Sequence, residues 1–111
     1  MAKLTDYTTY ADAQARGNSG ALWELFDGDR EYLNIAHECM IRHADGSART
    51  AVRMAHANGT DGILSFDDIA AGSARFAHWL VENGIKPGDR IAFMLEPSLP
   101  FYISLFGAMM M

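Results

Sequence analysis

Several groups of residues have types and spacings that could do chemistry. Gly59-Thr60-Asp61-Gly62 has the paired glycines of a phosphate-cradling loop. It lacks the lysine of a Gly-x-x-x-x-Gly-Lys-Ser/Thr motif, however, and it lies between two stretches of strand-like pattern, so it reads as the turn of a hairpin. His37, Cys39 and His43 suggest a metal. On a helix only Cys39 and His43 are four apart and share a face, and a structural zinc site draws on three or four ligands. Asp67 and Asp68 are adjacent carboxylates, but at a helix start they serve as cap and dipole partners. Arg90 precedes an apolar run and reads as a surface arginine with a packed stem rather than a substrate contact. His78 and Trp79 sit at the outer edge of an apolar stripe, where they either meet another part of a larger protein or stay partly exposed. No catalytic, cofactor-binding or metal-ligating residue is assigned from these groups.

Charge narrows the classes further. The 111 residues carry a net charge of −5 with nine Lys and Arg, which is not the footprint of a nucleic-acid binder. Arg42, Arg49 and Arg53 are the nearest approach to a basic cluster, and Asp45 lies among them. The single cysteine, Cys39, cannot form a disulfide within the chain, which fits a reducing compartment. The polar start Met1-Ala2-Lys3-Leu4 lacks the apolar core of a secretory signal, so a cytoplasmic location is expected. Ile91 to Met111 holds one charge, Glu96, but Pro97 and Pro100 interrupt it well short of the about 20 apolar residues of a membrane span. A buried strand followed by a buried helix is expected there.

The elements that must position these residues follow from periodicity. Thr5 to Arg16 is Ala-rich, with Tyr7, Tyr10 and Ala11 at helical spacing. Gly17 to Gly20 breaks that pattern, and Ala21 to Phe26 reads as a short apolar helix ended by Asp27-Gly28-Asp29. Asn34 can cap a third helix that runs to about Asp45-Gly46. Thr50 to Ala57 has period two, with Val52 and Met54 on one side, and a second strand begins with Ile63, Leu64 and Phe66. The turn-rich link between them predicts an antiparallel hairpin. Ser65 followed by Asp68 approximates a capping box. Ile69, Ser73, Phe76, Ala77, Leu80 and Val81 then share one helix face, with Gly84 placed to end it, so a helix over about Phe66 to Asn83 is predicted. Pro87-Gly88 makes a tight connection. Arg90 to Leu95 suits a strand covered on both faces, and Phe101 to Met110 an apolar helix.

The fold class expected is α/β: N-terminal helices over 1–46, a β-hairpin over 50–66, and over 66–111 the first strand-helix-strand unit of a doubly wound sheet. A buried-type strand and an apolar helix with few companions lead to the expectation that the chain is the opening of a larger domain. They also predict that the isolated chain exposes apolar surface near Ile91 to Met111 and self-associates.

Three stretches carry a family resemblance. Leu64-Ser65-Phe66-Asp67-Asp68-Ile69 resembles the Leu-Thr-Tyr-x-Glu-Leu opening of the AMP-forming acyl- and aryl-CoA synthetases, members of the adenylate-forming superfamily. Gly84-Ile85-Lys86-Pro87-Gly88-Asp89-Arg90-Ile91-Ala92 is similar to that family's helix-to-strand turn. Phe101-Tyr102 through Phe106-Gly107-Ala108-Met109 is similar to the helix that leads into its Gly-Ala-x-x-x-Pro segment. Upstream, Tyr32 to Cys39 resembles the lead-in helix of short-chain and aromatic-acid CoA ligases. The resemblance implies a parent enzyme that uses ATP and Mg2+ to convert a carboxylic acid to an acyl-adenylate and then joins it to coenzyme A. It also implies that the phosphate loop, the nucleotide motifs and the catalytic lysine lie in other segments, so no site residue is carried over. Two other readings stay open: a short interaction module without catalysis, and the adenylation domain of a peptide synthetase.

Overall fold

The computed structural model describes residues 2–111, which form two compact units divided between Leu33 and Asn34. The first contains a 3-10 turn at Leu4–Asp6 and the helices α1 (Tyr10–Arg16) and α2 (Ser19–Trp23). The continuous helix expected over Thr5 to Arg16 is thus two pieces. The Thr9 side chain accepts the Asp12 N–H at 3.2 Å, starting α1 there and leaving Tyr7 and Thr8 outside it. Asn18 caps α2 in the same way, accepting from the Ala21 N–H at 2.9 Å. No residue of 2–33 is fully buried. Aromatic contacts are local: the Arg30 guanidinium lies 5.7 Å from the Trp23 ring centre, and Trp23 is tilted against Phe26. The Tyr32 and Glu31 N–H groups, both 2.8 Å from the Asp29 carboxylate, hold its carboxyl below the ordinary carboxylate value.

The second unit has a core. It runs α3 (Ile35–Cys39), a 3-10 turn at Ile41–His43, strands β1 (Thr50–Ala55) and β2 (Asp61–Ser65), then α4 (Phe66–Glu82) and α5 (Leu99–Met110). Asn34 caps α3 as expected, accepting from the His37 N–H at 3.1 Å, while its amide donates to the Met109 carbonyl at 3.0 Å. The helix is shorter than its sequence suggests and ends at Cys39 rather than near Asp45. The His43 Nε2–H donates to the Glu38 carbonyl at 3.1 Å, the oxygen that a continuing α-helix would offer to the Arg42 N–H.

Strands β1 and β2 form the antiparallel hairpin, with Val52 opposite Leu64, Arg53 opposite Ile63 and Met54 opposite Gly62. A bulge lies between Thr50 and Val52. Gly59 takes φ +81°, the left-handed conformation that the turn requires. Phe66 is the first residue of α4 rather than part of the strand. Ser65 caps that helix: its Oγ accepts the Asp68 N–H at 3.0 Å and lies 2.7 Å from the Asp68 carboxylate. At the other end Gly84 takes φ +81°, with bonds from Gly84 N–H to the Val81 carbonyl and from Ile85 N–H to the Leu80 carbonyl, a Schellman closure.

Buried Ala36, Leu64, Ile69 and Phe106 join α3, β2, α4 and α5 in one core. Helices α4 and α5 come close where each presents a glycine. A Cβ on Gly107 would lie 2.8 Å from the Ser73 carbonyl oxygen and 3.1 Å from the Phe76 Cβ. A Cβ on Gly72 would lie 2.4 Å from the Ile103 Cδ1. The hydroxyl of fully buried Ser73, at the same crossing, has no hydrogen-bond partner among the described residues.

Helices and a hairpin make this an α/β arrangement. A further departure from the expected elements is 90–96, which has no regular secondary structure and no ladder partner among the described residues. A strand is defined by its neighbour, and β1 and β2 pair only with each other. Burial there nevertheless alternates: Ile91 and Phe93 are half-buried, while Ala92 and Met94 are exposed.

Candidate functional site

The sequence-flagged groups fall into separate places. Gly59-Thr60-Asp61-Gly62 closes the hairpin. Within the turn, the Asn58 carboxamide accepts from the Thr60 N–H at 3.0 Å and from its hydroxyl at 2.7 Å. Those donors are engaged by the turn itself, so the loop offers no nest of free N–H groups to a phosphate.

His37, Cys39 and His43 do not converge. Cys39 is exposed, and no group of three or more His, Cys, Asp or Glu among the described residues is placed to hold a metal ion. His43 turns back onto α3 and tilts against the Phe66 ring at 5.3 Å between centres. The other side of this arrangement is Arg49, whose guanidinium lies 5.1 Å from the Phe66 ring centre.

The two adjacent carboxylates have separate tasks. Asp68 completes the cap of α4, as its position suggests. Asp67 instead reaches outward and accepts from the Gly46 N–H at 2.8 Å and the Ala48 N–H at 2.7 Å. It thereby fixes a loop in which Gly46 and Ala48 both take positive φ, +80° and +54°. In the same loop the Ser47 hydroxyl, then its N–H, hold the Asp45 carboxyl below the ordinary carboxylate value.

Sequence reading missed the ion pair between Arg42 and Glu38, four residues apart. The Glu38 side chain is only 5% exposed, and its charge is met by the guanidinium of Arg42 in the following 3-10 turn. The four-residue spacing of opposite charges is the signal in the sequence that points to it. These contacts tie loop to helix.

In 34–111 a groove of about 320 Å³ is lined by Arg53, His56, Glu96 and Tyr102, among others. It brings the end of β1 beside the loop that leads into α5. No ion pair joins Arg53 to Glu96. Arg90 is exposed, as its surface reading requires, and Trp79 is half exposed while stacking on Phe76 at 5.7 Å. No helix among the described residues is long and apolar enough to cross a membrane.

Residues 42–111 match the family model described as AMP-binding enzyme. An acetyl-coenzyme A synthetase of Burkholderia lata is 31% identical over 75 residues, which is 66% of this chain and 11% of that protein. The crystal structure of a Brucella canis acyl-CoA synthetase superimposes with a TM-score of 0.76 at 29% identity, covering 92% of this chain and 19% of that one. The chain therefore spans less than a fifth of the length of either relative.

Proposed function

Because the chain belongs to the AMP-binding enzyme family, we propose that it serves in an AMP-forming acyl-CoA ligase. The observation that carries this reading is the structural match over 92% of the chain to an acyl-CoA synthetase, at an identity that also extends to sequence.

In the proposed reaction a carboxylate oxygen of the acid attacks the α-phosphorus of ATP, and the bond to the bridging oxygen of pyrophosphate breaks. The thiolate of coenzyme A then attacks the acyl carbon, and the acyl–oxygen bond breaks to release AMP. Such chemistry depends on holding the groups in line and stabilising the charge that develops. Mg2+, when bound, would offset part of that negative charge. The described residues contain no carboxylate cluster fit to hold it, so it is assigned to none of them.

The role proposed for this stretch is to build one packed corner of the catalytic domain. Asn34, Ser65, Asp67 and Gly84 fix the ends of α3 and α4, and Gly72 and Gly107 set how closely α4 and α5 approach. A small carboxylic acid, ATP and coenzyme A are the proposed substrates of the longer enzyme, and a cytoplasmic location fits them.

A polypeptide extending this chain to the length of its relatives, given ATP, Mg2+, coenzyme A and a panel of carboxylic acids, is expected to release AMP only when an acid is present. The 111-residue chain under the same conditions is expected to release none. Acid-independent AMP, or ADP in place of AMP, would reject the proposal.

A further inference from the structure

Asp45 is followed by Gly46 in a loop that is exposed from Asp45 to Ala48. An aspartate before a glycine can close a ring on its own backbone, because glycine has no side chain to screen its nitrogen. The Gly46 nitrogen gives up its proton and bonds to the Cγ of the Asp45 carboxylic acid. The Cγ–OH bond breaks, and that oxygen leaves as water with the proton, so a cyclic imide remains. Water then adds to one of the two imide carbonyls. Addition at the side-chain carbonyl restores aspartate, whereas addition at the main-chain carbonyl gives isoaspartate, with one more carbon in the main chain. The sequence of steps needs no oxidant, reductant or other co-reactant.

Packing does not prevent this closure, since a Cβ on Gly46 would meet no atom beyond its chain neighbours within 4 Å. Hydrogen bonds do prevent it. The Gly46 N–H donates to Asp67 at 2.8 Å, so the proton that must depart is held by a carboxylate. The other oxygen of Asp67 accepts the Ala48 N–H at 2.7 Å and holds Ala48 at φ +54°, where it is the only non-glycine residue at positive φ among the described residues. The Asp45 carboxylate is drawn away from Gly46, because the Ser47 hydroxyl and N–H both donate to its Oδ1. The same two donors hold its carboxyl below the ordinary carboxylate value, and the ionised form has no hydroxyl to lose. We propose that Asp45 is a latent isomerisation site and that Asp67 is the latch that keeps it closed. Opening is self-sustaining, because the extra main-chain carbon moves the Gly46 N–H off its acceptor. The partners all lie between Asp45 and Asp67, and the proposal does not rest on the ligase reading. The chain also carries its own control. Asn58-Gly59 can close the same ring with loss of ammonia, and its restraints lie within the hairpin: the Gly59 N–H donates to the His56 carbonyl at 3.0 Å, and Thr60 donates to the Asn58 carboxamide.

The test incubates the 111-residue chain at neutral pH in water labelled with heavy oxygen and reads both sites by peptide mass spectrometry. Each ring opening inserts one labelled oxygen, whichever carbonyl the water attacks. The native chain is expected to take up label at Asp45 far more slowly than the same chain unfolded in urea. Asp67→Ala removes both bonds of the latch and is expected to speed labelling at Asp45 about tenfold, the equivalent of one charge-assisted hydrogen bond, with conversion at Asn58 unchanged. Asp67→Asn keeps an acceptor oxygen without the charge and is expected to fall between. Amide hydrogen exchange on the native chain gives a reading that needs no variant: the Gly46 and Ala48 N–H groups are expected to exchange more slowly than in a peptide covering 44–49. Labelling at Asp45 as fast in the folded as in the unfolded chain, or no acceleration in Asp67→Ala, would overturn the latch. An equal acceleration at Asn58, which marks general unfolding as the cause, or unprotected Gly46 and Ala48 amides would overturn it as well.

Discussion

Replacing Gly107 by alanine lowers the stability of the 34–111 unit by about 2 kcal/mol, or about 10 °C in Tm, although alanine is the better helix former. In an open helix the exchange would gain up to about 1 kcal/mol. Here the new Cβ would stand 2.8 Å from the Ser73 carbonyl oxygen and 2.9 Å from the Phe76 Cδ1. A carbonyl oxygen is part of the backbone of α4 and cannot rotate away, so the two helices must separate. That separation loosens the contacts of Phe106, which joins the core one residue earlier. Gly72→Ala makes the informative contrast, because the atoms it would meet, Ile103 Cδ1 at 2.4 Å and Cγ1 at 2.6 Å, belong to a side chain. Adding Ile103→Ala should recover part of the loss at Gly72, whereas the same change should do nothing for Gly107→Ala. Urea unfolding followed by circular dichroism reads both effects. An unchanged or raised midpoint for Gly107→Ala would show that the crossing is looser than described.

Ile69→Ala is expected to cost more, about 3 kcal/mol. Ile69 is fully buried in the first turns of α4 and shares its cluster with Ala36, Leu64 and Phe106. These come from α3, β2 and α5, so the side chain is where four elements meet. The remaining cluster is small. Alanine at 36 cannot expand into the space, and Leu64 and Phe106 are held by the hairpin and by the helix crossing. Partial collapse would therefore leave much of the cavity in place. With so few fully buried side chains, a loss of that size brings 34–111 near its unfolding midpoint at room temperature. Ile69→Val, which removes one methyl, should cost about 1 kcal/mol and remain folded. A native-like denaturation midpoint for Ile69→Ala would contradict the placement of Ile69 at the centre of the core.

The sequence made the ends of elements legible wherever a side chain or a glycine closes them locally. Asn34 and Ser65 act as caps, Gly84 ends its helix, and the Asn58-Gly59 turn joins paired strands. Each signal depends on a hydrogen bond or torsion within a few residues of the position that carries it. Long-range features did not show. Asp67 looks from its position like a second helix-start charge, but its carboxylate serves a loop 19 and 21 residues earlier. Gly72 and Gly107 look like ordinary helix glycines until the opposing atoms are known. The 90–96 run has the composition of a covered strand, yet a strand is completed by its neighbour, and no described residue supplies one. Likewise the first helix divided because Thr9 outcompeted the backbone as an acceptor, a choice between two local options that periodicity alone does not decide.

For the candidate site, the grouping by residue type was a poor guide. His37, Cys39 and His43 lie close in sequence but are turned to different tasks, while the pair that does meet, Glu38 with Arg42, lay between them. The resemblance in Leu64 to Ile69 and in Gly84 to Ala92 is the better signal, since those stretches hold the strand-to-helix junction at Ser65 and the helix end at Gly84.

The proposed ligase reaction passes through an acyl-adenylate. Acid-dependent exchange of labelled pyrophosphate into ATP, measured on the longer polypeptide without coenzyme A, isolates that step. Exchange that appears with a suitable carboxylic acid and vanishes without it is the expected result. An enzyme that turns over ATP yet supports no exchange with any acid in a broad panel would contradict the account.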